Sequence, residues 1–255
     1  MDDIFSKRNF MKCPRFDAIM AESDQQKGVH HPPHGKKIPG TSITLPGFDG
    51  VADNARYSDL LDARRSVRIF NDTPATQEEL AFILWSAHGV QAYRGVNDAA
   101  TLRTVPSGGA RHAFEIYALV KNVTGLAPGL YHYAPMENVG EKRVCVEFLS
   151  EFPDYDARVE HMLAGQRWAC KAPFVLFVSC VPYRAEWRYA AAAHRVMLID
   201  LGHIGQNVML SAAASGLGSC CIAAYDQALC DEALNLDGTD EYVVYAVPIG
   251  APGKK

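Results

Sequence analysis

The sequence predicts a globular fold built from both helices and strands. Hydrophobic residues make up 48% and charged residues 21% of the 255-residue chain, which is too apolar for a disordered polymer. Short β-rich runs recur from residue 114 onward, bounded by Gly and Pro. Two segments show helical spacing instead, a short one near 76–89 and a long one near 187–215. At this length roughly three quarters of the unfolded surface can be buried, so a sizeable core is available.

Taken in order, residues 1–55 lack clear periodicity and are expected to be an irregular N-terminal extension. A single domain then covers 56–255. Within the extension, residues 28–40 read as loop, because the tandem Pro32-Pro33 breaks both regular structures. His30, His31 and His34 lie there, but no carboxylate or thiol stands at ligand spacing. A solvated loop is expected, with no metal site. A helix is expected from Ser58 to about Arg64, followed by a turn at Asn71-Asp72-Thr73-Pro74. Thr76 and Glu79 have capping-box spacing, and Leu80, Ile83, Leu84 and Ala87 line one face of the helix they start. Gly89 is its expected stop.

Strands are expected at 114–120, 129–133, around 144–146, at 174–181 and at 242–249. The run at 174–181 is nearly all apolar, as in a strand buried on both faces. A long helix is expected over about 187–215. Met197, Leu201, Ile204, Val208 and Ala212 share one face, while Leu198, Ile199, Met209 and Leu210 make other faces apolar. Such a helix should be buried. It nevertheless carries a polar stripe, Asp200, His203 and Asn207, which needs hydrogen-bond partners if buried. The stripe fits a satisfied core, a subunit interface or a ligand site. Gly216-Leu217-Gly218 should end the helix.

Lys plus Arg total 25 against 29 Asp plus Glu, a net charge of −4, which argues against a nucleic-acid or anionic-membrane binder. No basic stretch followed by an apolar run opens the chain, and no run reaches about 18 apolar residues. Neither a signal peptide nor a membrane span is expected. The seven cysteines, at 13, 145, 170, 180, 220, 221 and 230, are odd in number and contain no C-x-x-C. They read as buried free thiols in a reducing, cytoplasmic setting.

Four constellations could carry chemistry. Arg64-Arg65-Ser66-Val67-Arg68 places three guanidiniums and a hydroxyl within five residues. It reads either as a basic helix end or as an anion site; in extended chain Arg64, Ser66 and Arg68 would point the same way. Pro106-Ser107-Gly108-Gly109 could bring backbone close to a flat ligand, or be an ordinary turn. No G-x-G-x-x-G, G-x-x-x-x-G-K-[ST] or G-x-S-x-G is present. Cys220-Cys221-Ile222-Ala223 follows the long helix, and its segment holds no cation to activate a thiolate. Arg188-Tyr189 could position a substrate, although an arginine cannot serve as a general base.

The order of these pieces resembles the nitroreductase family of flavin enzymes, on the side of its azoline-oxidase-type dehydrogenases. The resemblance runs from about Ser58 to Gly250. Its carriers are the 64–68 cluster, Val105-Pro106-Ser107-Gly108-Gly109-Ala110-Arg111-His112, Glu115-Ile116-Tyr117, Gly129-Leu130-Tyr131-His132-Tyr133, Gly202-His203-Ile204-Gly205-Gln206-Asn207, Gly216-Leu217-Gly218 and Val247-Pro248-Ile249-Gly250.

The resemblance implies an α+β fold with a central, mostly antiparallel sheet flanked by helices, and a long buried helix at a homodimer interface with shared active sites. It implies FMN as cofactor, NAD(P)H as electron donor and a small organic acceptor such as a nitroaromatic or quinone. Arg64, Arg65, Ser66 and Arg68 would hold the phosphate and ribityl chain, with Lys254 adding charge. Pro106, Ser107 and Gly108 would approach the ring from the second subunit, and Cys221, Ile222 and Ala223 would lie along its other side. No residue is required as a general acid or base. Ala223-Ala224 replaces a glutamate-glycine pair of other nitroreductases. Arg188-Tyr189 stands where azoline oxidases carry lysine-tyrosine. The alternatives are an azoline-type dehydrogenase of a modified peptide, a flavin-binding redox sensor without turnover, and a thiol-based protein using Cys220-Cys221.

Overall fold

The runs expected to be strands pair into one antiparallel sheet. A computed structural model describes residues 2–13, 15–53 and 55–254. Its helices are α1 (Asp2–Lys7), α2 (Phe16–Met20), α3 (Tyr57–Ala63), α4 (Gln77–His88), α5 (Tyr155–Met162), α6 (Tyr183–Tyr189), α7 (Ala193–Ala214) and α8 (Gln227–Ala233). Its strands are β1 (Thr41–Thr44), β2 (Val90–Arg94), β3 (Ala100–Arg103), β4 (Phe114–Val120), β5 (Gly129–Tyr133), β6 (Cys145–Ser150), β7 (Phe174–Cys180), β8 (Gly218–Ser219) and β9 (Tyr242–Gly250). Seven strands form a sheet ordered β1-β6-β5-β4-β7-β9-β8, and β2-β3 is a separate hairpin.

The pairing β4–β7 runs antiparallel from Phe114↔Cys180 to Val120↔Phe174. Side chains alternate across a strand, so Phe114, Ile116, Ala118 and Val120 enter one core while Tyr117 and Leu119 enter another. Helices α4 and α7 cover the first face with Leu80, Ile83, Leu84, Met197, Leu201 and Ile204. On the second face α5 and α8 contribute Val159, Met162 and Cys230. The sheet is thus antiparallel yet covered on both sides, which accounts for the largely apolar run of β7.

Helix α4 begins as its sequence requires. The Thr76 hydroxyl accepts from the Glu79 N–H at 3.1 Å, and the Thr76 N–H donates to the Glu79 carboxylate at 2.7 Å. Gly89 ends it without a left-handed turn; a Cβ there would lie 2.7 Å from the Trp85 carbonyl oxygen. Helix α7 ends in a Schellman motif: Leu217 N–H donates to Ala212 O and Gly216 N–H to Ala213 O, with Gly216 at φ +73°.

Several expectations are corrected. The long helix does not start at Trp187. Helix α6 stops at Tyr189, Ala190 takes φ 43° and ψ −132°, and a 3-10 turn at Ala190–Ala192 leads into α7. The alanine run that carries this break favours helix and gives no local warning of it. Within the single chain helix α7 turns one side to the core and leaves Leu198 and Ile199 56% and 47% exposed, which does not contradict a helix expected to be buried between two copies. The extension before residue 56 is not wholly irregular, since it holds α1, α2 and β1. Its helices span six and five residues and β1 is an exposed edge strand, too little for a periodic pattern. The β6 strand runs on to Ser150, and β2, β3, β8, α5 and α8 escaped the sequence pattern because each buries few side chains. No helix among the described residues is long and apolar enough to cross a membrane.

Candidate functional site

The arginine cluster leaves the end of α3 in extended conformation. Only Arg64 sits at the helix C-cap. Val67 N–H donates to Ser219 O at 3.0 Å, and Ser66 bridges Ser219 in parallel. Val67 turns inward onto Gly218, where a Cβ would lie 2.7 Å from the valine side chain. Arg65, Ser66 and Arg68 are exposed and Arg64 is half-buried. None of the three arginines forms an ion pair with a described carboxylate; Arg65 Nη1 donates to Arg64 O, and Arg68 lies 5.9 Å from the Trp168 ring centroid. Arg64 and Arg65 border a cleft of about 240 Å3 with Met209, Ala213, Gly216 and Ser219.

The chain terminus returns to this cluster. Asn71 N–H donates to Ala251 O, Gly253 N–H donates to Ile69 O, and Phe70 pairs antiparallel with Pro252. That register sets Lys254, which is exposed, opposite Arg68.

The Pro106-Ser107-Gly108 turn is clasped by α7. Ser107 Oγ donates to Asp200 Oδ2 at 2.7 Å, and the Gly108 N–H points at both carboxylate oxygens at 3.0 and 3.1 Å. His112 N–H in turn donates to Ser107 Oγ. Burial raises the Asp200 pKa, against the lowering effect of these bonds. Asn207 Nδ2 donates to Ser86 O and Thr104 O, whereas His203 is exposed. The polar stripe on α7 therefore has its partners within the chain at Asp200 and Asn207. Arg188 and Tyr189 pack on the same turn: a Cβ at Gly109 would lie 2.5 Å from Arg188 Nε and 2.6 Å from the Tyr189 hydroxyl.

Cys221 lies farther along α7. Its thiol donates to Gly205 O at 3.9 Å, beside the Tyr245 ring. A Cβ at Gly205 would come within 2.9 Å of the Tyr245 ring, so glycine permits this contact. Burial pushes the Cys221 thiol up to about 11, more than Tyr245 and the nearby Arg64 pull it down. The side chain of Ile222 lies in the core, and its N–H donates to Ala246 O; Ala223 is exposed. The six cysteines from 145 to 230 are free thiols, and Cys13 is exposed, contrary to the expectation of buried thiols throughout. Because burial keeps its thiol protonated, Cys221 should alkylate with iodoacetamide at pH 7 about 100-fold more slowly than an ordinary cysteine. A comparable rate would restore the thiol-based alternative.

Two buried polar clusters were not visible in the sequence. Glu115 is ion-paired with Arg184, accepts the Lys36 N–H at 2.8 Å and meets His132 Nε2 at 3.1 Å; His132 Nδ1 meets Glu147 at 2.8 Å. Glu241 beside it takes Lys36 Nζ, the Tyr117 hydroxyl and Ser179 Oγ. Their members lie up to 205 positions apart, as Lys36 and Glu241 do. The one local hint is a glutamate inside the otherwise apolar strand β4. Arg103 is buried against His88 and His112, whose pKa values fall, to about 2 for His112, chiefly by burial.

The layered antiparallel fold thus sets the arginine cluster beside the C-terminal end of its long helix. The Nitroreductase family model matches residues 61–251, and the chain belongs to that family. It is 33% identical over 212 residues to a protein of Methanocaldococcus jannaschii named as a nitroreductase, covering 82% of this chain and 95% of that one. It is 32% identical over 138 residues to the trifolitoxin-processing protein TfxB of Rhizobium leguminosarum bv. trifolii, covering 53% of this chain and 36% of TfxB. A Ralstonia eutropha crystal structure of a protein named as a nitroreductase superposes with a TM-score of 0.65 at 22% identity, covering 86% of this chain and 97% of that one.

Proposed function

We propose that this Nitroreductase-family oxidoreductase is an FMN-dependent homodimer that uses NAD(P)H to reduce a small organic acceptor, donor and acceptor taking turns at one site. The observation that supports the reading is the cluster Arg64, Arg65 and Arg68, none ion-paired with a described carboxylate, joined by Ser66 and faced by Lys254. Guanidiniums give planar, multidentate donors to phosphate, so the residues present fit the phosphate end of FMN. Bound FMN would supply hydride and electron transfer between NAD(P)H and an acceptor such as a nitroaromatic or quinone.

The chain's own residues bind and orient. Arg64, Arg65, Ser66, Arg68 and Lys254 would hold the phosphate and ribityl chain. Cys221, Ile222 and Ala223 would lie along the ring system, with the neutral Cys221 thiol as a small neighbour. Pro106, Ser107 and Gly108 would approach from a second copy, held in shape by the Asp200 clasp. Two features support that second copy. Val196 and Asp200 meet the turn, whereas Met209 and Ala213 meet the arginines, and nine residues of helix between Asp200 and Met209 span about 14 Å. Leu198 and Ile199 leave the outward face of α7 apolar.

The full-length protein is expected to purify yellow, and NADH or NADPH should bleach its flavin spectrum without oxygen. Flavin that binds yet stays oxidised under both donors would overturn this reading and favour the redox sensor. The likeness to TfxB supports a second reading, an azoline-type dehydrogenase acting on a modified peptide. Arg188 could not be its base, since a guanidinium keeps its proton. Acceptor panels should therefore include an azoline peptide beside nitroaromatics and quinones.

A further inference from the structure

Arg188 and Arg111 converge beside the Gly109 turn, and no described carboxylate forms an ion pair with either. Arg188 Nε rests against Gly109 and is buried without a hydrogen-bond partner. Arg111 Nε donates to Gly109 O at 3.1 Å, and its guanidinium lies 5.0 Å from the Trp187 ring centroid. Burial and the neighbouring Arg188 charge both lower the Arg111 pKa. The Tyr189 hydroxyl completes the group, with the Arg188 guanidinium 5.5 Å from the Tyr189 ring centroid.

The partner that Arg188 does have is neutral and borrowed. Its Nη1 donates to Gln25 Oε1 at 2.8 Å. Gln25 belongs to an N-terminal strap laid over α6. The strap is held by Gln25 N–H to Trp187 O at 2.9 Å, Trp187 Nε1 to Val29 O at 2.9 Å and the Tyr183 hydroxyl to Asp24 at 2.9 Å. Phe16 meets the Tyr189 ring edge-on at 5.9 Å. Helix α2 within the strap buries no residue.

A single amide oxygen neutralises neither of two adjacent guanidiniums. A carboxylate offers negative charge and two acceptor oxygens, and makes the stronger, charge-assisted bond. We propose that Arg188, Arg111 and Tyr189 form an anion-recognition site that selects acceptors bearing a carboxylate, with Gln25 as the internal occupant that such a ligand displaces. Naming the ligand an acceptor rests on the oxidoreductase reading above; the anion site does not.

Calorimetric titration of the purified full-length protein with 4-nitrobenzoate and its neutral counterpart 4-nitrobenzamide tests the proposal. The carboxylate should bind about tenfold or more tightly than the amide. Arg188→Gln should abolish the preference, and Arg188→Lys should retain part of it. Gln25→Ala, which removes the competitor without touching the arginines, should tighten 4-nitrobenzoate binding about threefold and leave 4-nitrobenzamide unchanged. Equal affinities in the unaltered protein, a preference surviving Arg188→Gln, or no effect of Gln25→Ala would each overturn the site. A carboxylate preference in a protein that neither NADH nor NADPH reduces would leave the site standing and sink the oxidoreductase reading alone.

Discussion

Arg64→Ala combined with Arg68→Ala should strip the protein of FMN. Each guanidinium–phosphate bond is worth roughly 1.5–3 kcal/mol, so losing two weakens binding by about 10² to 10⁴-fold. Flavin absorbance per chain after gel filtration reads retention, and quenching of free FMN fluorescence reads affinity. The fold should survive, because Arg68 is exposed, Arg64 half-buried, and neither makes an ion pair with a described acid that the substitution would orphan. Unchanged thermal unfolding of the two flavin-free proteins checks that point. Full flavin occupancy in the double variant would remove the phosphate-site assignment.

Glu115→Gln should produce the largest loss of stability. Glu115 is 1% exposed and Arg184 5%, so the substitution leaves a buried guanidinium without its counter-charge. Breaking such a pair costs about 3–5 kcal/mol. At about 2–4 °C per kcal/mol for a chain of this size, Tm should fall by roughly 10 °C. A fall below about 2 °C would show that the pair adds little.

The pH dependence has a defined sign. Burial pushes the Glu115 pKa up, but Arg184 and His132 carry it further down, well below the ordinary carboxylate range. Its contribution is therefore complete above about pH 4.5 and is lost as pH falls through the depressed folded value. Burial pushes His132 down, yet Glu115 and Glu147 on either side raise it overall. That contribution is complete below about pH 6.5 and is lost as pH rises through the raised folded value. The Tm difference between the unaltered protein and Glu115→Gln should thus be greatest between about pH 5 and 6.5. A difference that grows toward pH 3 would contradict this account.

Much of the sheet was legible because its information is local. Strands β4 and β7 stand out as largely apolar runs, interrupted by Glu115 and Ser179, and each strand buries all seven of its residues. The Thr76–Glu79 capping box and the Gly216 stop need only four to six consecutive residues to be recognised. The cluster at 64–68 was visible as chemistry, but of its two readings the basic helix end is the commoner one locally, ahead of the extended anion site. That most of the cluster is extended, and not helical, was decided by the end of α3 at Ala63 and the bridge from Ser66 to Ser219, a contact across 153 positions. The break at Ala190 and the edge strand β1 stayed hidden, because an alanine run and an exposed edge carry no periodic signal.

The sequence by itself determined the central strands β4, β5, β7 and β9, the helix α4, much of the apolar core, and that three guanidiniums stand within five residues. Only the tertiary structure decided what those pieces face. It joined Ser107 to Asp200 across 93 positions, seated Arg188 on Gly109, and enclosed Glu115 between Arg184 and His132. The division has one physical cause. Hydrophobic periodicity and capping act over a few residues and are written along the chain, whereas pairing of buried polar groups is set by distance in space.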